Sequence, residues 1–240
     1  MKKTSNDSNA VSEPVDLGRR ARAVGSRAPY VPQIRLYQNW LADKRGLTFD
    51  NYEALWRWST VDLDSFWQSI WDYFDLQSPT PHSDVVVNTG MPGAKWFPGA
   101  QVNYVKQVFR HVEAAHAAGL PAIVARNEAG EHREMSWPEL RRQVASLALH
   151  LKSRGVGPGD RVVAYMPNIP ETIVAFLATG SIGAVWSLCA PDMGTNAVID
   201  RFAQIEPKVL IGVDGIRYNG RDIDRTGVLA ELRAKLPTVQ

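Results

Sequence analysis

A chain of 240 residues that is 45% hydrophobic holds enough apolar mass for one large or two modest cores. Its formal net charge of +2 gives no basic field of the kind that selects nucleic acid as a partner. No apolar run approaches the roughly 18–20 residues that span a bilayer, and Lys2-Lys3 followed by SNDSNAVSE is too polar for a secretory signal, so no membrane partner is expected.

The first thirty residues are rich in Ser, Asn, Arg and small side chains and offer little to bury, which predicts a disordered tail over 1–30. An arginine-rich start also fits an organelle transit peptide, but Asp7, Glu13 and Asp16 argue against one. From Pro32 to Pro81 the pattern is helical and aromatic. Ile34, Tyr37 and Leu41 fall on one helix face; Asp50 is placed to cap NYEALWRW, and Asp64 to cap SFWQSIWDYF, where Phe66, Ile70, Trp71 and Phe74 share a face. At helical spacing such aromatics read as a core rather than as a base- or sugar-stacking surface. The stretch is therefore a helical module, 31–81.

Beyond Pro92, Gly93, Pro98 and Gly99 the chain is irregular, then forms a short helix over 104–118. AIVARN and EHREMSW flank Glu128, Ala129 and Gly130 and read as a β-hairpin. Ser136 stands three residues before Glu139, a capping box, and opens a helix with Leu140, Val144, Leu147 and Leu151 on one face and a stop at Gly155. From Arg161 strand and helix alternate: RVVAYM, PETIVAFLATGSIGA, VWSLCA, AVIDRFAQIE, KVLIGV, then the helix GVLAELRAKL. That alternation predicts parallel strands with helical crossovers from Glu171 and Ala197. Pro237 to Gln240 read as the approach to a further strand, so the expectation is a chain that stops inside a domain. Cys189 lies in an apolar run with no partner in the chain, which predicts a buried thiol, a reducing compartment and a cytoplasmic protein.

The run YQNWLADKRGLTFDNYEALWRWSTVDLDSFWQSIWDYF, the segment WFPGAQVNY, and GDRVVAYMPNIPETIVAFLATGSIGAVWSLCAPDMG followed by VIDRFAQIEPKVLIGVDGIRYNGRD resemble the acetoacetate-CoA ligases, adenylate-forming acyl-CoA synthetases close to acetyl-CoA synthetase. The likeness runs from about Tyr37 to Val239. It implies an α/β fold: a helical N-terminal module plus the first, incomplete half of an adenylate-forming synthetase large domain with a partly parallel sheet, over 82–240. It also implies a two-step chemistry, in which ATP activates a short keto acid as an acyl-adenylate and CoA then forms the thioester. ATP, CoA and Mg serve the complete enzyme. The implied partners are acetoacetate or a similar short acid, CoA, and the missing C-terminal portion as a separate chain. Leu188, Ala190 and Met193 stand where that family usually has Ser, Ser and Phe, and Lys106-Gln107 where it has Glu-Asn.

No catalytic residue and no metal ligand is assigned within the chain. ATGSIG at 178–183 has no following Lys and lies in an apolar helical pattern, so its glycines read as packing glycines. GVGPGD at 155–160 precedes a strand and reads as a helix-to-strand turn. His82, His111, His116, His132 and His150 lack ligand spacing, and Ser187 and Cys189 lack the glycines and the base of a nucleophile elbow. One loop keeps a functional reading, the one after KVLIGV, at a strand's carboxyl end. The corresponding loop of acetyl-CoA ligases carries two arginines that meet CoA phosphates, and by that resemblance Arg217 and Arg221 are the candidate CoA contacts. The same loop also reads as a solvated basic turn.

Three functional readings follow: the N-terminal portion of an acetoacetate-CoA ligase, inactive alone; a non-catalytic module that binds CoA or a partner; and a non-functional remnant. The half-sheet is expected to leave an open edge and an uncovered face, and hence a poorly soluble or self-associated chain when alone.

Overall fold

A computed structural model describes residues 31–90 and 92–240. The segment 1–30, expected as a tail, lies outside the described residues. The chain divides into two units, Met1–Gln101 and Val102–Gln240.

The first unit contains helices α1 (Gln33–Arg45), α2 (Tyr52–Val61) and α3 (Leu63–Tyr73) and the short strands β1 (Val86–Val87) and β2 (Lys95–Trp96), which pair antiparallel. Helix α1 ends where Gly46 turns left-handed at φ 66° and its N–H returns to the carbonyls of Leu41 and Ala42. The caps fall elsewhere than on Asp50 and Asp64. Asn51 Oδ1 accepts from Ala54 N at 2.9 Å, and Asp62 Oδ1 accepts from Ser65 N at 3.1 Å. A cap must sit one residue outside the first helical φ/ψ, so the neighbouring acids are already too far along or too early. The buried core is Tyr37, Leu41, Leu55 and Tyr73, with Trp58, Phe66 and Ile70 packed on it. The inward face of α3 thus carries Phe66, Ser69, Ile70 and Tyr73. Phe74 is half exposed, and Trp71 stacks instead with His82 and Phe97. Ser69 is tolerated inside because its hydroxyl meets Tyr37 Oη at 2.6 Å, so neither polar atom is left unpaired.

The second unit opens with two short helices, α4 (Tyr104–Phe109) and α5 (Val112–Ala117), separated at Arg110-His111 where a single helix was expected. Asn103 caps α4 through Val105 N and Lys106 N and donates to the Gly180 carbonyl at 2.9 Å. Strands β3 (Ile123–Arg126) and β4 (His132–Met135) pair antiparallel, as the turn signals required. Helix α6 (Trp137–Ser153) starts at Ser136, whose Oγ accepts from Glu139 N. Only half of the capping box forms, because the Glu139 carboxylate takes Arg142 Nε and Nη2 and Gln143 Nε2 instead of reaching back.

Then follow β5 (Arg161–Tyr165), α7 (Pro170–Ser181), β6 (Val185–Cys189), α8 (Thr195–Ala203) and β7 (Val209–Gly212). The three strands form one parallel sheet in the order β6-β5-β7. The central strand is apolar on both sides, as a strand covered twice must be. Val162 packs with Leu140, Val144 and Leu151 of α6 and Val174, Leu177 and Ala178 of α7. Val163 and Tyr165 pack with Val198 and Phe202 of α8 and with Leu232 of α9 (Thr226–Lys235). Both faces of the sheet are therefore covered, against the expectation of a bare face: α9 lies far along the chain and supplies the second layer together with α8. The open edges remain, at β6 and β7. The ATGSIG glycines are part of α7 and its end. A Cβ at Gly180 would stand 3.1 Å from Val105 Cγ2, which identifies it as a packing glycine.

Between β7 and α9 runs an antiparallel ribbon, β8 (Gly215–Tyr218) and β9 (Arg221–Asp224), where the sequence reads as a loop. Asn219 (φ 51°) and Gly220 (φ 73°) turn it. Two successive left-handed residues match the twist of a two-residue hairpin, which is why Asn-Gly suits this place.

Candidate functional site

The parallel strands β5 and β7 end side by side, and their chains part there, β5 into α7 and β7 into the ribbon. Ligands in open α/β sheets bind at such a parting of strand connections. Here the parting opens a cleft of about 640 Å³, lined by the β3–β4 turn, the segment 167–171 and the start of the ribbon. Thr172 Oγ1 donates to the Pro167 carbonyl at 2.6 Å, which fixes the turn into α7. Arg225 N donates to the Asp214 carbonyl at 2.7 Å, which fixes the base of the ribbon.

The cleft wall is charged in both senses. Arg126, Arg133 and Arg217 line it with Glu128, Glu131, Glu171 and Asp214. Arg133 Nη1 pairs with Glu171 at 2.6 Å, joining β4 to the first turn of α7, where a carboxylate is also favoured by the helix dipole. Glu128, from the tip of the β3–β4 turn, accepts from Asn219 N at 3.0 Å and Gly220 N at 2.9 Å. A second hollow of about 650 Å³ along the ribbon is lined by Asp214, Arg217, Asp222 and Asp224. Hydrogen bonding from Thr226 holds the Asp224 carboxyl below the usual carboxylate range. Beneath the sheet end, Tyr165 Oη donates to the Pro191 carbonyl at 2.8 Å, and burial pushes that phenol upward. Burial likewise pushes the Cys189 thiol up, the opposite of what a nucleophilic thiolate needs.

The two arginines expected as CoA contacts do not converge. Arg217 faces Asp222 across the ribbon and Arg221 faces Tyr218, and neighbouring pairs of a ribbon point to opposite sides. Arg217 lines both hollows, with a loose ion pair to Asp222 at 3.7 Å; Arg221 lines neither. Each guanidinium can meet a phosphate oxygen from its own face, but the two cannot clamp one group from the same side. Reading the residues alone did not find Arg126, Arg133 or Glu128, because they come from a hairpin far away in sequence. The Asn-Gly pair at 219–220 was the one local signal that could have foretold the ribbon. Among the described residues no group of three or more His, Cys, Asp or Glu is placed to hold a metal ion, and no helix is long and apolar enough to cross a membrane.

Known proteins share this sequence and fold. Residues 52–108 match the family model for the acetyl-coenzyme A synthetase N-terminus, and residues 109–240 match that for the AMP-binding enzyme. The acetoacetyl-coenzyme A synthetase of Rhizobium meliloti is 36% identical over 85% of this chain, and that of Macaca fascicularis 36% over 81%. A malonamoyl-CoA synthetase of Penicillium aethiopicum is 30% identical over 89%. The solved acetoacetyl-CoA synthetase from Streptomyces lividans superposes with a TM-score of 0.80 at 47% identity, covering 85% of this chain and 32% of that one. The chain spans about 30% of the length of the curated relatives it matches. Matched over more than half its residues by one family model, and over 52–108 by the model that accompanies it, the chain belongs to the AMP-binding enzyme family, as a relative of the acetoacetyl-CoA synthetases.

Proposed function

We propose that this chain is the N-terminal portion of an acetoacetate-CoA ligase, a helical module over 31–81 followed by the first part of the adenylate-forming domain over 82–240. In the complete enzyme a carboxylate oxygen of the acid attacks the α-phosphorus of ATP, the bond to pyrophosphate breaks, and an acyl-adenylate forms. The CoA thiol then attacks the acyl carbon, loses its proton and releases AMP. Mg belongs with the triphosphate, and the groups that hold both belong to a further chain. The observation that carries this reading is the ordered pair of family matches together with the fold shared with the Streptomyces lividans protein.

The substrate class is a short acid with a carbonyl β to the carboxylate. Acetoacetate has that arrangement and so does the acid named in the Penicillium aethiopicum relative, which supports the class and leaves the individual acid to assay. This chain's own contribution is the parallel sheet and, at its carboxyl end, a cleft wall that carries arginines among carboxylates. There Arg217, from the cleft side, and Arg221, from the other face of the ribbon, contribute to the CoA phosphate site. The buried thiol of Cys189 supports a reducing compartment, and a cytoplasmic location is part of the reading.

Acid-dependent ATP–pyrophosphate exchange tests it. The purified 240-residue chain should show none, since its ATGSIG stretch belongs to helix α7 and its end rather than to a phosphate loop. The chain purified with the product of the reading frame that follows it should show exchange that depends on acetoacetate. Exchange by the chain alone defeats the claim of inactivity.

A further inference from the structure

We propose that Glu128 is a strap that holds the β8–β9 ribbon against the cleft and so positions Arg217 on the cleft wall. The ribbon is fixed at its base by the Arg225–Asp214 hydrogen bond, and past that point a two-stranded ribbon has little to order it in water. Its far end is held by a residue 91 and 92 positions away in sequence. Asn219 and Gly220, both left-handed, direct successive N–H groups to one side, an arrangement that suits an anion. Each oxygen of the Glu128 carboxylate takes one of them, Oε2 from Asn219 N and Oε1 from Gly220 N. Hydrogen bonds to an ionised acceptor are stronger than neutral ones, and paired bonds add a geometric requirement.

The carrier of that carboxylate is itself stiff. Asn127 Oδ1 accepts from Ala129 N at 3.1 Å and Glu131 N at 3.0 Å, and Gly130 N donates to the Asn127 carbonyl at 3.0 Å. A rigid turn thus presents one carboxylate to one turn of a ribbon that otherwise frays. Glu128, Asn219 and Gly220 are all exposed, so the contact can open without disturbing either hydrophobic core. Arg217 stands two residues from the strapped tip, and its place on the wall depends on the ribbon staying paired. The consequence for ligand rests on the CoA reading given above; the strap does not.

Hydrogen exchange on the 240-residue chain, unsubstituted and as Glu128→Ala, Glu128→Gln and Arg217→Ala, is the test. Glu128→Ala should raise exchange of the amides of 215–224 by roughly tenfold and leave those of Val162 to Tyr165 unchanged. Glu128→Gln, which keeps one carbonyl acceptor, should recover part of the protection, and Arg217→Ala should leave ribbon exchange alone. CoA titrated calorimetrically into the same proteins should bind more weakly to both alanine variants. The double variant should be no weaker than Arg217→Ala, because Glu128 acts through Arg217. Ribbon protection unchanged in Glu128→Ala, or lost at Asn219 and Gly220 alone, overturns the strap. Additive losses of CoA affinity in the double variant overturn its action through Arg217. CoA affinity insensitive to Arg217→Ala overturns the phosphate reading and leaves the strap to be decided by exchange.

Discussion

Single polar atoms hold the ends of the parallel sheet in place. At the carboxyl end the Tyr165 hydroxyl, on a side chain that is 1% exposed, serves only the Pro191 carbonyl. Tyr165→Phe keeps the packing and strands that carbonyl, so it should cost about 1–2 kcal/mol, read as a lower urea midpoint with an unchanged slope. At the other end Lys208 Nζ donates to the Gly155 carbonyl at 2.6 Å and to Asp160 at 3.2 Å, while Asp160 accepts from Gly157 N, which holds its carboxyl below the usual range. The Glu139 carboxyl goes further. Hydrogen bonds from Arg142 and then Gln143 hold it down at about 2, against 4.5 for an ordinary glutamate. A carboxyl with a lowered folded pKa contributes stability that is fully present above 4.5 and lost as the pH falls toward 2. Carboxyl NMR should place the Glu139 midpoint well below that of the ordinary glutamates, and high salt should move it back up, since the pair is solvent-facing.

Elements in this chain are made by their ends as much as by their faces. Asn51, Asp62, Asn103 and Ser136 each satisfy a helix's first free N–H groups, and the periodic apolar residues then decide which side is buried. Ser136→Ala should cost about 1 kcal/mol, measured by thermal melting, with the loss confined to the stability of the Val102–Gln240 unit. The ribbon depends on its turn in the same way. Gly220 has open space where a Cβ would project but a φ of 73°, so Gly220→Ala meets no clash and incurs only the left-handed penalty. That substitution should reduce protection over 215–224 while the sheet amides stay slow to exchange. Uniform loss of protection across the sheet would show instead that the ribbon is part of the folding core.

For the whole molecule, the two compact units carry separate cores, one aromatic and helical, one layered around a parallel sheet. A chain spanning 102–240 should fold with its own cooperative transition, seen as dispersed amide NMR signals and a single urea midpoint. The edge strand β6 exposes Val185 at 48% and Leu188 at 44%, and among the described residues nothing pairs with its outer side. An apolar, unpaired edge favours strand-to-strand association, and Leu188→Lys should reduce it without loss of stability, as read by light scattering at matched concentration. Unchanged scattering would direct attention to the β7 edge.

How much of this was legible in advance follows from how far each signal reaches along the chain. Strand and helix order from Arg161 to Val213, the parallel pairing, the β3–β4 hairpin and the buried face of α6 are local periodicities, and one sequence displays them. The long run of matched segments likewise carried the family. What depended on tertiary structure was of two kinds. Small shifts in helix registry moved the caps from Asp50 and Asp64 to Asn51 and Asp62 and turned Phe74 outward, because one residue is about 100° of helix. Long-range closure did the rest: α9 covers the sheet face that the strand pattern alone left bare, and the ribbon's pairing sends Arg217 and Arg221 to opposite sides. Only folding brings Glu128 to the amides of Asn219 and Gly220, since a contact between residues so far apart in the chain leaves no periodic trace in either segment.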